Sequence, residues 1–358
     1  MEGTDEDGEG ELLSTSSAPS QTIFSRPHRN ENYASTKVGV SEETIRRILK
    51  PGLYVPTVTF FKDTEELDDS TITQHAVRMA KAGVVGIITQ GTYGEAVHLS
   101  RAERSKVTRL TRHAIGAAGY VQLPIIVGCG AQSTSETIEL CHDAKSSGGD
   151  YALILPPSTY KGQYTPESIA GFFTDVASAS PIPILIYNYP DVTGIDLDAE
   201  AIIRLSKHPN ITGCKLTCND MEKLARIAAE VHPAVPSDRG LEFLCLAGSA
   251  DATVQALERG GSGVIAGLAN VAPKTCVKLV ELFHLGKVDE AKESQGVVST
   301  ADHAAVTKGV VGIKAALQVY FQYGGFARRP LPRPDKEGME RYSEGFGEVI
   351  HVEKSMGG

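Results

Sequence analysis

From about position 53 the chain alternates between short apolar runs and longer segments with one polar face. YVPTVTFF (54–61) reads as a strand. The segment 68–83 reads as a helix, with Ile72, Val77 and Ala80 on one face and Gly83 as its stop. Seven further strands follow: VVGIITQG (84–91), LPIIVGCG (123–130), YALILPP (151–157), PILIYNYP (183–190), ITGCKLT (211–217), LEFLCLAGS (241–249) and SGVIAG (262–267). Helical patterns fill the spaces between them at 100–119, 133–149, 165–180, 197–208, 219–232 and 250–261. Ser100 with Glu103 spells a capping box, and Pro166 falls in a first helical turn.

One strand and one helix recur about every 30 residues, the length of a βα unit. The strands are continuously apolar, as expected when helices cover one face and a packed interior covers the other. Eight units predict a (β/α)8 TIM barrel. An open, doubly wound sheet uses the same units and remains the other arrangement. Beyond Gly267, helical stretches at 272–285, 288–300 and 304–323 predict a C-terminal helical extension. The expected division is a disordered acidic extension over 1–45, the barrel over 46–270, the helical region over 271–330 and a peripheral tail over 331–358.

Composition narrows the partners. Of 358 residues, 35 are Lys or Arg and 44 are Asp or Glu, so the formal net charge is −9. No basic block is present, which argues against nucleic acid and anionic membranes as partners. No apolar run approaches the ~18 residues of a membrane span. The six cysteines form no C-x-x-C pair and read as small buried hydrophobes in a reducing compartment. The acidic start lacks the marks of a secretory signal, so a cytoplasmic location is expected. The Arg- and Ser-bearing stretch 25–47 leaves a mitochondrial signal as the alternative.

In a barrel of this kind, chemistry sits where strands end and βα loops begin. That rule selects the loop Gly91-Thr92-Tyr93-Gly94-Glu95, then Tyr187-Asn188-Tyr189-Pro190, Lys215, Gly248-Ser249 and Ile265-Ala266-Gly267. Lys215 ends an apolar run, where poor hydration favours the neutral, nucleophilic amine. Such an amine can condense with a ketone, although an edge lysine reaching for solvent has the same sequence. Tyr187, one strand earlier, supplies a phenol able to move protons, or else an aromatic that closes the mouth. The 91–95 loop offers backbone N–H groups and the Thr92 hydroxyl to a carboxylate, and Glu95 is expected to cap or brace the following helix. Lys314, in a helix outside the barrel, reads as structural, and Cys214 and Cys218 beside Lys215 read as packing. The ten histidines lack zinc spacing, and neither a phosphate loop nor a G-x-G-x-x-G after a strand occurs, so neither metal nor cofactor is expected.

At these residues the chain resembles the dihydrodipicolinate synthase / N-acetylneuraminate lyase family of class I aldolases, over about residues 52 to 330. GTYGEAVHLSRAER is similar to that family's G-[ST]-x-G-E loop, YNYPDVTG to its Y-N-x-P segment, ITGCKLTCND to its lysine-bearing strand, and GSGVIAGLANVAP to its strand-eight loop. The resemblance implies a barrel with a helical extension, assembled as a homotetramer. It implies that Lys215 forms a Schiff base with a 2-oxo acid such as pyruvate and that Tyr187 transfers protons. It also implies that Gly91, Thr92 and the Tyr93 backbone hold the carboxylate, with Thr217 and Ile265 as further substrate contacts. The synthase branch carries an Arg where this chain has Val192, and Tyr93 replaces a relay hydroxyl. The TGIDLDAEAI and GGFARRPL segments resemble 4-hydroxy-2-oxoglutarate aldolases, and KLTCND resembles fungal 2-keto-3-deoxy-sugar-acid aldolases.

The expected function is therefore a lyase that cleaves a 4-hydroxy-2-oxo acid to pyruvate and an aldehyde. The alternatives are a dehydratase or a dihydrodipicolinate synthase-type activity of the same family, or a sugar-acid binding protein without turnover. Tyr160, Asp191 and Arg239 are the candidates for contacting the aldehyde half.

Overall fold

A computed structural model describes residues 47–231 and 243–357. The expected extension over 1–45, and Arg239, lie outside the described residues. Eight parallel strands follow in chain order: β1 (Gly52–Pro56), β2 (Gly86–Thr89), β3 (Ile125–Gly128), β4 (Tyr151–Ile154), β5 (Ile184–Asn188), β6 (Ile211–Leu216), β7 (Leu244–Ala247) and β8 (Gly263–Ile265). Each pairs with the next, and β8 returns to β1 with Leu53 opposite Val264 and Tyr54 opposite Ile265. That last pairing closes the barrel and removes the open-sheet alternative.

Two buried clusters explain why the strands show no alternation in sequence. Tyr54, Ile88, Ile126, Leu153, Leu185, Tyr187, Leu246 and Ile265 form one cluster, which fills the barrel interior. Their strand neighbours Val55, Ile87, Val127, Ile154, Ile186, Cys214 and Val264 form the other, together with the helices. Both faces are apolar because both are covered. The lower end is plugged by Leu49, Tyr54 and Tyr151. The Tyr54 hydroxyl donates to the Lys50 carbonyl at 2.6 Å and that of Tyr151 to the Arg47 carbonyl at 2.9 Å, so each buried phenol has a partner.

The outer ring holds α1 (Asp69–Lys81), α2 (Arg101–Ala117), α3 (Thr134–Ser146), α4 (Pro166–Ala179), the single turn α5 (Pro190–Thr193), α6 (Ala199–Ser206), α7 (Met221–Val231) and α8 (Thr253–Glu258). The expected capping box is present at Ser100 and Glu103, and Pro166 occupies a first turn. The inward face of α1 differs from the expected one. Ile72, His75, Ala76, Met79 and Ala80 are buried, while Val77 is half-buried. His75 lies between the Tyr323 hydroxyl and the Asn270 side chain, 3.0 Å from each, and its burial lowers its pKa to about 3. A buried polar side chain with both ring nitrogens satisfied can sit on a packing face.

The extension comprises α9 (Pro273–His284), α10 (Val288–Phe321), α11 (Lys336–Ser343) and α12 (Gly347–Ser355). Two expectations change here. The stretches 288–300 and 304–323 are continuous through 301–303, and the interruption falls at Gly309 (φ 57°, ψ −151°). The tail beyond residue 330 is not peripheral. Phe346, Val349 and Ile350 are buried, and the Glu353 carboxylate accepts from the backbone N–H groups of Lys274 and Thr275 at the start of α9. A charged, Pro-rich composition concealed a short amphipathic helix whose carboxylate suits a helix N-terminus.

Candidate active site

The parity of β6 decides where Lys215 points. Cys214 and Leu216 belong to the outer cluster, so Lys215, between them, faces the barrel interior. Tyr187 is its direct register partner on β5 and belongs to the inner cluster. The Lys215 ammonium lies over the Tyr187 ring, 3.9 Å from its centroid. Lys215 is 6% exposed, and among the described residues no ion pair includes it. The face of the Tyr187 ring supports the Lys215 ammonium in this buried position. Tyr189 stacks on Tyr187, with centroids 5.7 Å apart and planes 21° apart. Burial, then Tyr187 and Asp191, raises the Tyr189 pKa.

Asn188 shows how this corner is held. Its side chain donates to Asp196 at 2.7 Å and accepts from the Leu197 N–H at 3.0 Å, while its carbonyl accepts from the Thr217 N–H at 2.9 Å. The buried Lys223 donates to the same Asp196 oxygen at 2.6 Å. Sequence reasoning placed Asn188 in a candidate segment without a role, and it missed Asp196 and Lys223, which no local pattern marks. The Thr217 hydroxyl is buried without a partner. A Cβ at Gly248 would come within 1.9 Å of that hydroxyl, so only glycine lets the β7 loop pass. Ile265 is fully buried in the inner cluster, on the strand that pairs with β7 and β1.

The 91–95 loop is a tight turn after β2. A Cβ at Gly94 would meet the Gln90 backbone nitrogen at 2.9 Å, and the Thr59 hydroxyl donates to the Gly94 carbonyl at 2.7 Å. Gln90 and Glu95 bracket the loop with φ of 52° and 54°, a left-handed conformation that non-glycine residues resist. Gly91 is buried and Thr92 exposed. The Tyr93 side chain turns away to the extension, where its hydroxyl donates to the Ala305 carbonyl of α10 at 3.1 Å. Burial, then the nearby Asp302, Tyr189 and Tyr187, raises the Tyr93 pKa. Asp302 is itself buried beside Asp251, and its pKa rises to about 7, first from burial and then from that second carboxylate.

Glu95 differs from its expected role. It offers no helix cap and instead pairs with Lys314 of α10 at 2.7 Å, with both side chains 1% exposed. Its other oxygen contacts His98 Nδ1 and accepts from the Arg328 N–H, each at 2.9 Å. Burial lowers the Lys314 pKa to about 8 against the opposing pull of Glu95. Tyr160 is 61% exposed and Asp191 is exposed. Cys214 is buried with its sulfur 3.7 Å from that of Cys245, and Cys218 is half-buried; both are free.

The sequence profile of the Dihydrodipicolinate synthetase family matches residues 50–344. The chain belongs to this family. Among its relatives, "Probable 4-hydroxy-2-oxoglutarate aldolase, mitochondrial" from Emericella nidulans is 48% identical, with the match covering 87% of this chain and 98% of that one. "L-threo-3-deoxy-hexylosonate aldolase" from Aspergillus niger is 45% identical over 86% and 97% of the two chains. A crystal structure of a dihydrodipicolinate synthase family protein from Coccidioides immitis superposes with a TM-score of 0.75 at 33% identity, covering 87% of this chain and 99% of that one. In this family member Val192, in the turn after β5, is 53% exposed and brings no charge to the mouth.

Proposed function

We propose that this protein is a class I aldolase, a lyase that cleaves a 4-hydroxy-2-oxo acid into pyruvate and an aldehyde. The observation that carries the reading is the buried Lys215 side chain over the Tyr187 ring, with no carboxylate paired to it among the described residues. The aldolase names of the two relatives support the same chemistry and its substrate class.

The Lys215 amine adds to the C2 ketone, and Tyr187 gives its phenolic proton to the carbinolamine hydroxyl, which leaves as water, so that a protonated imine and a phenolate remain. The C3–C4 bond then breaks. Its electron pair moves into the imine to give an enamine, while the 4-hydroxyl proton passes to Tyr187 and the aldehyde departs. Protonation of the enamine at C3 and hydrolysis of the imine release pyruvate and restore the amine. The substrate carboxylate is held by Gly91, Thr92 and the Tyr93 backbone, the unpartnered Thr217 hydroxyl offers a further hydrogen bond, and Ile265 packs beside the pyruvyl group. With Val192 in place of an arginine, dihydrodipicolinate synthesis is disfavoured.

The direct test is borohydride reduction in the presence of pyruvate. A stable adduct on Lys215, absent from Lys215→Ala, is expected; an unchanged adduct in the variant would overturn the assignment. A coupled pyruvate assay across 4-hydroxy-2-oxoglutarate and 3-deoxy-2-oxo-hexonates identifies the substrate, and a 2,5-dioxo product in place of pyruvate would make the protein a dehydratase.

The assembly is read as a homotetramer. Val97, Tyr160 and Val192, in the loops after β2, β4 and β5, are 92%, 61% and 53% exposed and are suited to burial between copies. Light scattering at several concentrations tests it. Among the described residues no helix is long and apolar enough to cross a membrane. The name of the Emericella nidulans relative favours the mitochondrion, with the cytoplasm as the alternative; imaging a fluorescent fusion of the full chain decides between them.

A further inference from the structure

The residues that shape the 91–94 loop are not all in the barrel. The loop enters and leaves through Gln90 and Glu95, both left-handed. Such a conformation is strained for a side-chain-bearing residue and persists only where surrounding contacts enforce it. Gln90 is enforced from within the barrel layer, because its amide donates to the Arg104 carbonyl at 2.9 Å and to the Thr108 hydroxyl at 3.1 Å. Glu95 is enforced from the extension. Lys314 comes from the second half of α10, and the Arg328 N–H from the segment that follows. Lys314 also donates to the Phe326 carbonyl at 3.0 Å, and Arg328 forks onto Glu103 at 2.7 and 3.0 Å. The first half of α10 grips the same loop through Ala305 and Tyr93. Gly309 lies between the two grips and breaks the helix, so each half meets the loop at its own angle.

We propose that Glu95 and Lys314 are positioning residues that hold the backbone N–H groups of the 91–94 loop against the substrate carboxylate, making the C-terminal extension part of 2-oxo acid recognition. The inference rests on the Schiff-base reading above. Neither residue touches the reacting atoms. Removing one member of the pair leaves the other charge buried, and the 90–95 turn relaxes.

The test separates the carboxylate from the ketone. Borohydride trapping at Lys215 is titrated with pyruvate and with methyl pyruvate, its neutral ester, in the wild-type protein, Glu95→Gln, Lys314→Met and the double variant. In each single variant, half-saturation by pyruvate is expected to rise about tenfold, while that by the ester moves less than about twofold. The double variant, which carries no unpaired charge, is expected to recover part of the pyruvate affinity. Should Lys314→Met fail to fold by circular dichroism, the isosteric Glu95→Gln decides alone. Equal shifts for acid and ester, or no shift in a folded variant, overturn the inference while leaving the Schiff base intact. Absence of any adduct on the wild-type protein overturns the Schiff-base reading and this inference with it.

Discussion

Two buried lysines divide this molecule. Lys314, in the extension, is closed in by a carboxylate at 2.7 Å, a carbonyl and the Phe61 ring. Lys215, in the barrel, lies over the Tyr187 ring and has no ion pair among the described residues. Burial is common to both, so burial alone does not make a reactive amine. The difference lies in what compensates the charge. A matched carboxylate fixes Lys314 as a clasp, whereas Lys215 has an aromatic face against it and, among the described residues, no carboxylate.

Lys215→Ala sharpens the contrast most. Turnover should fall by at least about 10⁴-fold, because the covalent route disappears, while the circular dichroism melt stays close to that of the wild type. A variant with comparable turnover would mean that the barrel lysine is no more reactive than its counterpart. Tyr187→Phe should cost about 10²- to 10⁴-fold in kcat, the usual range for a lost proton-transfer group. It keeps the ring beneath Lys215, so adduct formation with pyruvate should persist, and single-turnover kinetics would report it.

The opposite result is expected at the clasp. Lys314→Ala should cost about 3–5 kcal/mol of unfolding free energy by leaving Glu95 buried without its lysine partner. Urea denaturation measures this, and a loss below about 1 kcal/mol would show that the pair is not what secures the extension.

A smaller effect concerns Asp302, which packs beside the loop's tether. Its folded pKa of about 7 lies above its ordinary carboxylate value. The folded state therefore binds more protons than the unfolded state between these values. The stabilisation is full below about pH 4 and is lost as pH rises through 7. Asp302→Asn should flatten thermal stability over that window and melt at a higher temperature than wild type at pH 8. Parallel melting curves for the two proteins from pH 5 to 8 would contradict the assignment.

Much of this was legible before any tertiary information. Eight apolar runs at regular spacing specified βα units, since period and length are local properties of the chain. Ser100 with Glu103 announced a helix start because capping acts within one turn. Lys215, Tyr187 and the 91–95 loop stood out because active groups of a barrel gather at strand ends. The sequence misled wherever a partner lies far along the chain. Glu95 meets Lys314, 219 positions away, and no local pattern carries that distance. The helical break at Gly309 and the buried Phe346 likewise depend on neighbours brought in from elsewhere.

The sequence alone thus determined the repeating units, the strand carrying the lysine and the residue types at the mouth, because each follows from hydrophobic period and short-range chemistry. Only the tertiary structure decided that β8 pairs with β1, that Lys215 faces inward over Tyr187, and that a distant helix clasps the turn after β2. Closure, facing and clasping are relations between segments, fixed when burial and charge pairing are satisfied together for the whole chain.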